Sequence, residues 1–212
     1  MAPITNFDQL TQHLKERHSR KRIAVVCADD EHTEYAIARA LDEGIARFIL
    51  VGDTNRLAPY PALRRHADFV ETIHVEQPDE AARIAVNLVH QGKADILMKG
   101  IINTDNLLRV ILDKEHGLLP KGQVLTHLAM VEIPTYHKLL FFSDAAVIPQ
   151  PTLQQRIEMI GYAIRTCRRF GIERPRISLI HCSEKVSPKF PHSLDYVNIV
   201  QLAEAGEFGD VI

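Results

Sequence analysis

The sequence predicts an α/β protein with a mostly parallel sheet, and three features lead to this prediction. Residues 22–28 (Arg-Ile-Ala-Val-Val-Cys-Ala) are almost continuously apolar, which is typical of a parallel strand covered on both faces. Apolar runs of this kind alternate with segments of helical periodicity, and that order favours right-handed βαβ units. A later run, Ile96–Met98, leads directly into Lys99-Gly100 and then into a helix, an arrangement that places a turn where open α/β sheets bind ligands.

The first half of the chain alternates between the two kinds of element. Apolar spacing and turn residues predict, in order, a helix over residues 7–17, the strand 22–28, a helix that Gly44 ends, a strand over 45–51, a strand over 69–75, a helix from Pro78 to Gly92, the strand at Ile96 and a helix that Asn103, Thr104 or Asp105 caps. Residues 56–67 contain two prolines, and we expect an irregular segment with a short helix there.

The pattern changes after Gly122. The apolar runs 124–133 and 138–144 are joined by four residues, which suit an antiparallel hairpin better than a crossover. A long helix follows, because Leu153, Ile157, Ile160, Ile164 and Cys167 recur in steps of four and three. The remaining pattern predicts a strand over 177–180, a polar loop, a helix over 194–205 and the first half of a strand at 209–212. We therefore expect one α/β domain over residues 1–122 and a second over 123–212 that is incomplete, as in a truncated chain.

Composition excludes several classes of protein. The chain has 212 residues, 46% of them hydrophobic and 25% charged, with a net charge of −2, so no global basic field favours nucleic acid as a partner. No apolar run approaches the length of a membrane span, and the N-terminus lacks the pattern of a signal peptide. Three widely spaced cysteines argue against a disulfide framework. A cytoplasmic enzyme or binding protein without a membrane partner is the resulting expectation.

Three strand ends carry polar side chains suited to anions. Lys99, Gly100, Asn103 and Thr104 combine a cation with a helix N-terminus, where free N–H groups attract negative charge. The alternative for this first set is a surface lysine beside a turn glycine and an ordinary helix cap.

The second set follows the apolar run 139–142, where Ser143 and Asp144 place a hydroxyl and a carboxylate at a strand end. An aspartate in this position is more often a loop or cap residue. Thr126 and His127 lie in the preceding apolar run, where a histidine is more often a satisfied core residue than a catalyst.

The third set is the loop Ser183-Glu184-Lys185-Val186-Ser187-Pro188-Lys189, in which two serines and two lysines could surround a phosphate. A solvated polar loop is the alternative. The neighbouring His181-Cys182 pair suggests a nucleophile, but adjacent residues of a strand point to opposite sides, so we do not expect a thiolate–imidazolium pair. Asp29 to His32 are adjacent and do not predict a metal site, and the basic run His18–Arg22 is expected to be a solvated connector.

Taken together, these segments resemble the phosphate acetyl/butyryltransferase family, and the butyryl branch most closely. The resemblance runs from about Arg22 to the end of the chain, and three segments carry it: Ala94–Gly100 with the following Asn-Thr, Leu-Arg and Lys-Glu-His-Gly-Leu; Leu125–Asp144; and Ser183–Lys189.

The resemblance implies a fold similar to isocitrate and isopropylmalate dehydrogenases, with two α/β domains around a cleft. It also implies transfer of a short acyl group between coenzyme A and inorganic phosphate, by direct attack of the CoA thiol on an acyl phosphate. The implied partners are acyl-CoA or CoA and inorganic phosphate or acyl phosphate, with no permanently bound cofactor, no metal and a homodimeric or larger assembly.

By the same resemblance, the substrate-binding residues are Lys99, Gly100, Asn103, Thr104, Thr126, His127, Ser143, Asp144, Ser183, Glu184, Lys185, Ser187 and Lys189. Family members continue with a motif like Asp-Gly-Pro-Leu and with later serine, arginine and aspartate residues that are assigned to catalysis. The catalytic base and arginine would therefore lie beyond Ile212. Two alternatives stay open: a non-catalytic paralogue that binds acyl-CoA or phosphate, and another enzyme of the same fold, such as a metal- and NAD-dependent dehydrogenase.

Overall fold

The computed structural model describes residues 2–57 and 61–212. These residues form two compact units, the N-terminal unit (residues 11–123) and the C-terminal unit (residues 2–10 with 124–212). The prediction for residues 56–67 falls partly on 58–60, which lie outside the described residues.

The helices and strands alternate through most of the chain, with short 3-10 turns before and after α3. In chain order they are α1 (Phe7–Glu16), β1 (Lys21–Val26), α2 (Glu31–Asp42), β2 (Ala46–Gly52), α3 (Pro61–Arg65), β3 (Val70–His74), α4 (Pro78–His90), β4 (Ile96–Lys99), α5 (Thr104–Ile111), β5 (Ala129–Val131), β6 (Leu140–Phe142), α6 (Leu153–Arg169) and α7 (Pro191–Glu204).

The N-terminal unit is a four-stranded parallel sheet in the order β3-β2-β1-β4, covered on both faces. Val26 at the end of β1 pairs with Val51 of β2 and with Lys99 of β4. Burial explains the apolar run of β1, because Ala24 and Val26 pack into one apolar cluster and Val25 packs into the other. The parallel sheet predicted for this half of the chain is thus confirmed.

The order of the strands creates a switch point at β1. The chain leaves β1 through α2 to reach β2 on one side, whereas β4 lies on the other side of β1. At such a point the connections diverge and leave a crevice at the carboxyl ends of the strands. The turn after β4 lies at this edge.

The C-terminal unit contains a small antiparallel pair and two long helices. β5 and β6 pair with Ala129 opposite Phe142, which confirms the predicted hairpin, although the paired segments are much shorter than the apolar runs. Ile160 and Ile164 of α6 pack against Ile199 of α7, and Thr152 caps α6 in a reciprocal box with Gln155.

The strand predicted over residues 177–180 is wrong, because these residues have no strand conformation in the structure. A strand needs a row of backbone partners. Among the described residues, the backbone partner of this segment is Ile212, whose N–H donates to the carbonyl oxygen of Pro175 and whose carbonyl oxygen accepts from the Ile177 N–H. Residues 209–212, predicted as the first half of a strand, are likewise irregular. No helix within the described residues is long and apolar enough to span a membrane.

Candidate functional site

The switch point of the N-terminal unit is built by close contact between the turn after β4 and the end of β1. The Gly100 N–H donates to the Val26 carbonyl oxygen at 2.8 Å, and the Ile101 N–H donates to the Cys27 carbonyl oxygen at 2.8 Å. A Cβ atom on Gly100 would overlap both of those carbonyl oxygens. Glycine is therefore required at this position by the approach of two backbones.

Lys99 is the last residue of β4, and its side chain is exposed at this edge. The Lys99 ammonium donates to the Gly100 carbonyl oxygen at 3.3 Å. Among the ion pairs found in residues 2–57 and 61–212, Lys99 has no carboxylate partner. Its charge is consequently available to an anion at the switch point.

The N-terminus of α5 lies three residues beyond Gly100. The side chain of Asn103 accepts a hydrogen bond from the Asp105 N–H at 2.8 Å and caps the helix. Thr104 is the first helical residue and is exposed. Asp105 in the first turn offsets part of the positive end of the helix dipole, so Lys99 is the stronger attraction for an anion here.

Two charged residues at the same edge of the sheet were not selected from the sequence as binding residues. The Asp29 side chain, only 7% exposed, follows β1 and pairs with the Arg56 guanidinium at 2.5 Å, whereas the Arg56 side chain is 62% exposed. A buried carboxylate thus fixes an accessible cation at the carboxyl edge. No local pattern signals this pair, because its members lie 27 residues apart and follow different strands.

Cys27, at the switch point itself, is unsuited to be a nucleophile. Burial raises the pKa of its thiol, and the negative charge of Asp29 raises it further against the opposite effect of Arg56. A thiol with a raised pKa stays protonated at neutral pH, whereas the thiolate is the reactive form.

In the C-terminal unit, four of the predicted residues lie together, and the carboxylate of Asp144 is at the centre of their hydrogen bonds. Asp144 Oδ2 accepts from the Thr126 hydroxyl at 2.7 Å and from the His127 N–H at 2.9 Å. Asp144 Oδ1 accepts from the N–H groups of Ala146 and Val147. The Ser143 hydroxyl is 3.4 Å from that of Thr126.

These contacts give Asp144 a holding role. Burial by itself would raise the pKa of this carboxyl, but the hydrogen bonds from His127, Thr126, Val147 and Ala146 hold the pKa well below its usual range. A carboxylate that is this acidic and this fully bonded is a poor proton acceptor. Asp144 instead joins residues 126–127 to the turn 144–147, which leaves the hydroxyl of Ser143 and the imidazole of His127 as the groups that could contact a ligand.

The loop 183–189 consists of two similar serine turns. The Ser183 hydroxyl accepts from the Lys185 N–H, and the Ser187 hydroxyl accepts from the Lys189 N–H. Ser193 of α7 is buried; its hydroxyl accepts from the Ser187 N–H at 2.9 Å and lies within hydrogen-bonding distance of the Ser187 and Phe190 carbonyl oxygens. Ser193, which the sequence did not single out, therefore supports the loop from below.

An open cavity of about 960 Å³ lies beside this loop in the C-terminal unit. Its wall is mostly apolar, with residues from α6, α7 and the segment 177–179, and Ser183, Glu184 and Lys185 stand at its polar part. Ser187 and Lys189 are not among its lining residues. The structure thus separates the loop into a half that faces the cavity and a half that does not.

The expectation for His181 and Cys182 was wrong in its geometry. Because residues 177–182 are irregular, the Cys182 sulfur is not directed away from the imidazole and lies 3.8 Å from Nε2 and 3.9 Å from Nδ1 of His181. Nδ1 also accepts a hydrogen bond from the Ser183 N–H at 3.2 Å. A sulfur at nearly equal distance from both nitrogens is not aligned with either lone pair, and the pair does not form an activated nucleophile. Within the described residues, no group of histidine, cysteine and carboxylate side chains could hold a metal ion.

A family model described as phosphate acetyl/butaryl transferase matches residues 58–211 of the chain. The chain is 34% identical over 206 residues to a phosphate butyryltransferase of Clostridium acetobutylicum, an alignment that covers 96% of this chain and 67% of the relative. It is 30% identical over 196 residues to a phosphate acetyltransferase of Thermotoga maritima, covering 90% of this chain and 65% of the relative.

A solved structure, a branched-chain phosphotransacylase from Enterococcus faecalis, is similar with a TM-score of 0.73 and 29% identity. The similarity covers 90% of this chain and 66% of that one. The chain therefore spans about two thirds of the length of these relatives.

Proposed function

Because the chain belongs to the phosphate acetyl/butaryl transferase family, we propose that it transfers a short acyl group, such as butyryl or acetyl, between coenzyme A and inorganic phosphate. The observation that carries this proposal is the switch-point turn, in which an accessible Lys99 and a close-packed Gly100 stand before the N-terminus of α5. This arrangement offers positive charge and N–H groups to a phosphate oxygen.

The chemistry follows from what such a site can supply. The thiol sulfur of CoA attacks the carbonyl carbon of an acyl phosphate, the C–S bond forms, the bond from that carbon to the phosphate oxygen breaks, and inorganic phosphate leaves. The thiol proton goes to a base that we do not assign to any described residue. The residues that we propose to bind the phosphate hold it in position and counter its charge. This lowers the activation barrier of the transfer without a covalent acyl-enzyme.

The other residues that we propose to bind the substrates lie in the C-terminal unit. We propose that His127 and Ser143 contact the acyl phosphate and that Thr126 and Asp144 support its binding by holding this segment in place. We also propose that the loop residues Ser183, Glu184, Lys185, Ser187 and Lys189 contact phosphate groups of the substrates. The buried, protonated Cys27 supports a mechanism without a thiolate nucleophile in the N-terminal unit.

Other parts of the proposal rest on the sequence pattern and on the family resemblance. We propose the fold relationship to isocitrate and isopropylmalate dehydrogenases, domains over residues 1–122 and 123–212, a cytoplasmic location and a homodimeric or larger assembly. We further propose that CoA is a substrate and that no cofactor is permanently bound.

The test is an assay of the complete gene product that follows CoA release from butyryl-CoA and acetyl-CoA in the presence of phosphate. We expect phosphate-dependent release, and Lys99→Ala should raise the KM for phosphate by about tenfold or more, because a charge-assisted hydrogen bond is lost. Lys93→Ala is the matched control, since Lys93 is exposed in the same unit, before β4 begins. Absence of phosphate-dependent release with acyl chains of two to five carbons would refute the proposed function. Equal KM values in the two variants would refute the role of Lys99.

A further inference from the structure

The basic run His18–Arg22, expected to be a solvated connector, forms part of a pocket in the N-terminal unit. The pocket has a volume of about 610 Å³, within the range of small-molecule sites. Its lining residues are Leu14, Lys15, His18, Ser19, Arg20, Arg22, Glu43, Gly44 and Arg47. We call it the basic pocket. It lies at the amino edge of the sheet, where β1 and β2 begin, and is thus opposite to the switch point.

The charge of the basic pocket differs from that of the whole chain. With His18 neutral, its lining carries four cations and one carboxylate, whereas the chain as a whole has a net charge of −2. The carboxylate, Glu43, is already paired with Lys15 and with Arg39. Arg22 is paired with Asp95 at 3.2 Å. Within the described part of the chain, the ion pairs leave Arg20 and Arg47 without a carboxylate.

These two arginines lie near the same aromatic ring. The Arg20 Nε donates to the Gly44 carbonyl oxygen at 2.9 Å, and its guanidinium carbon lies 3.9 Å from the centre of the Phe69 ring. The Arg47 guanidinium carbon lies 5.4 Å from the same ring. Arg47 is also the register partner of Arg22 on the neighbouring strand. Like charges collected in this way repel one another, and a bound anion would remove that repulsion.

The backbone of His18, a lining residue of the pocket, is also unusual. His18 has a φ of 49°, in the left-handed region that residues other than glycine seldom adopt. This conformation turns the chain between α1 and β1 and places residues 18–20 along the pocket wall. The carboxyl ends of α1 and α2 are nearby and attract cations, and the hydrogen bond from Arg20 to Gly44 reflects this. Two helix ends provide about one negative charge in total, which is less than the two positive charges of Arg20 and Arg47.

We propose that the basic pocket binds the phosphate groups of a small polyanion, at a site separate from the switch point. Arginine guanidinium groups match phosphate oxygens in pairs, and Phe69 holds Arg20 and Arg47 in place before a ligand arrives. The polyanion could be a free inorganic polyphosphate or the phosphate chain of a nucleotide, because both present the same groups. The site does not depend on the proposed acyl transfer.

The experiment is calorimetry on this chain with inorganic tripolyphosphate, ATP and adenosine as probes. We expect tripolyphosphate to bind, and binding should weaken by at least about tenfold in Arg20→Gln/Arg47→Gln, because two charge-assisted contacts are lost. The control is Arg169→Gln/Arg176→Gln, which removes the same charge from two exposed positions of the C-terminal unit. Tighter binding of ATP than of tripolyphosphate would identify a nucleotide as the ligand, equal binding would identify the phosphate chain, and adenosine should not bind.

Hydrogen exchange of the unsubstituted chain keeps the proposal testable if the double variant does not fold. Tripolyphosphate should slow exchange in peptides covering residues 14–22 and 43–47. No binding of tripolyphosphate or ATP, equal affinity in the arginine variant and its control, or protection confined to residues 99–104 would each overturn the proposal.

Discussion

Replacing Gly100 by alanine should show how far the switch point depends on close backbone contact. The added Cβ atom would overlap the carbonyl oxygens of Val26 and Cys27, which are backbone atoms and cannot rotate away. Relief requires the turn to move away from β1, and this movement breaks two hydrogen bonds of 2.8 Å, from Gly100 to Val26 and from Ile101 to Cys27.

The expected cost follows from these two effects. Each hydrogen bond contributes about 0.5–1.5 kcal/mol net, and overpacking a well-packed site costs about 1–3 kcal/mol. We therefore expect Gly100→Ala to lower the free energy of unfolding of the N-terminal unit by about 2–6 kcal/mol. That is a large part of the stability of an ordinary domain, which is about 5–15 kcal/mol.

The measurement is urea unfolding followed by circular dichroism, with hydrogen exchange to identify the unit that loses stability. Gly161→Ala is the matched control, because Gly161 lies inside α6 and its added Cβ would meet only the end of the Arg165 side chain. Alanine in a helix interior should be neutral or stabilising by about 0.5–1 kcal/mol. The reasoning is refuted if Gly100→Ala is as stable as Gly161→Ala, or if the loss of stability is confined to residues 124–212.

Three further substitutions probe the carboxylates and the loop. Asp144→Asn should destabilise the C-terminal unit by about 2–4 kcal/mol at pH 7, because an amide cannot accept all four hydrogen bonds. Since the pKa of Asp144 is lowered on folding, its contribution exists above pH 4 and is lost at lower pH, so the variant should show less acid-dependent loss in unfolding experiments. Hydrogen bonds from Arg22 lower the pKa of Asp95 to about 2. Asp95→Asn should therefore remove the part of the acid unfolding transition of the N-terminal unit that falls between pH 4 and 2. An unchanged transition would contradict this. Ser193→Ala should cost about 1–3 kcal/mol and speed hydrogen exchange at Ser187, whose N–H loses its acceptor, and an unchanged exchange rate there would count against the supporting role of Ser193.

The sequence was most informative where local pattern decides structure. β1 and β2 are buried on both faces, so continuous apolar runs identified them. The three candidate caps 103–105 placed the start of α5 to within three residues, and Asn103 is the cap in the structure. The residues of the turn after β4 were also selected from a local pattern, a lysine and a glycine between an apolar run and a helix cap. Residues 177–180 have the same apolar character as a strand, but pairing depends on a partner elsewhere in the chain, which a local pattern cannot supply.

The arrangement within the candidate sites was much less predictable. Two of the four hydrogen bonds of Asp144 come from Thr126 and His127, which lie 18 and 17 residues earlier in the chain, and the Asp29–Arg56 pair joins segments that follow two different strands. The basic pocket depends on Phe69, which lies 49 residues after Arg20. These contacts follow from tertiary packing, so the sequence suggested residue types suited to anions but not which of them are held in place.

The close packing around Cys27 makes the switch point intolerant of single substitutions. Cys27 has a φ of 54°, Gly52 lies against its backbone on one side, and Gly100 lies against its carbonyl oxygen on the other. A larger residue at either glycine would require movement of the same short segment, so these positions are not independent of one another. In a library of random variants, we would expect Cys27, Gly52 and Gly100 to accept substitutions only in combination. Substitutions in this region should therefore begin at Thr104, whose side chain is exposed.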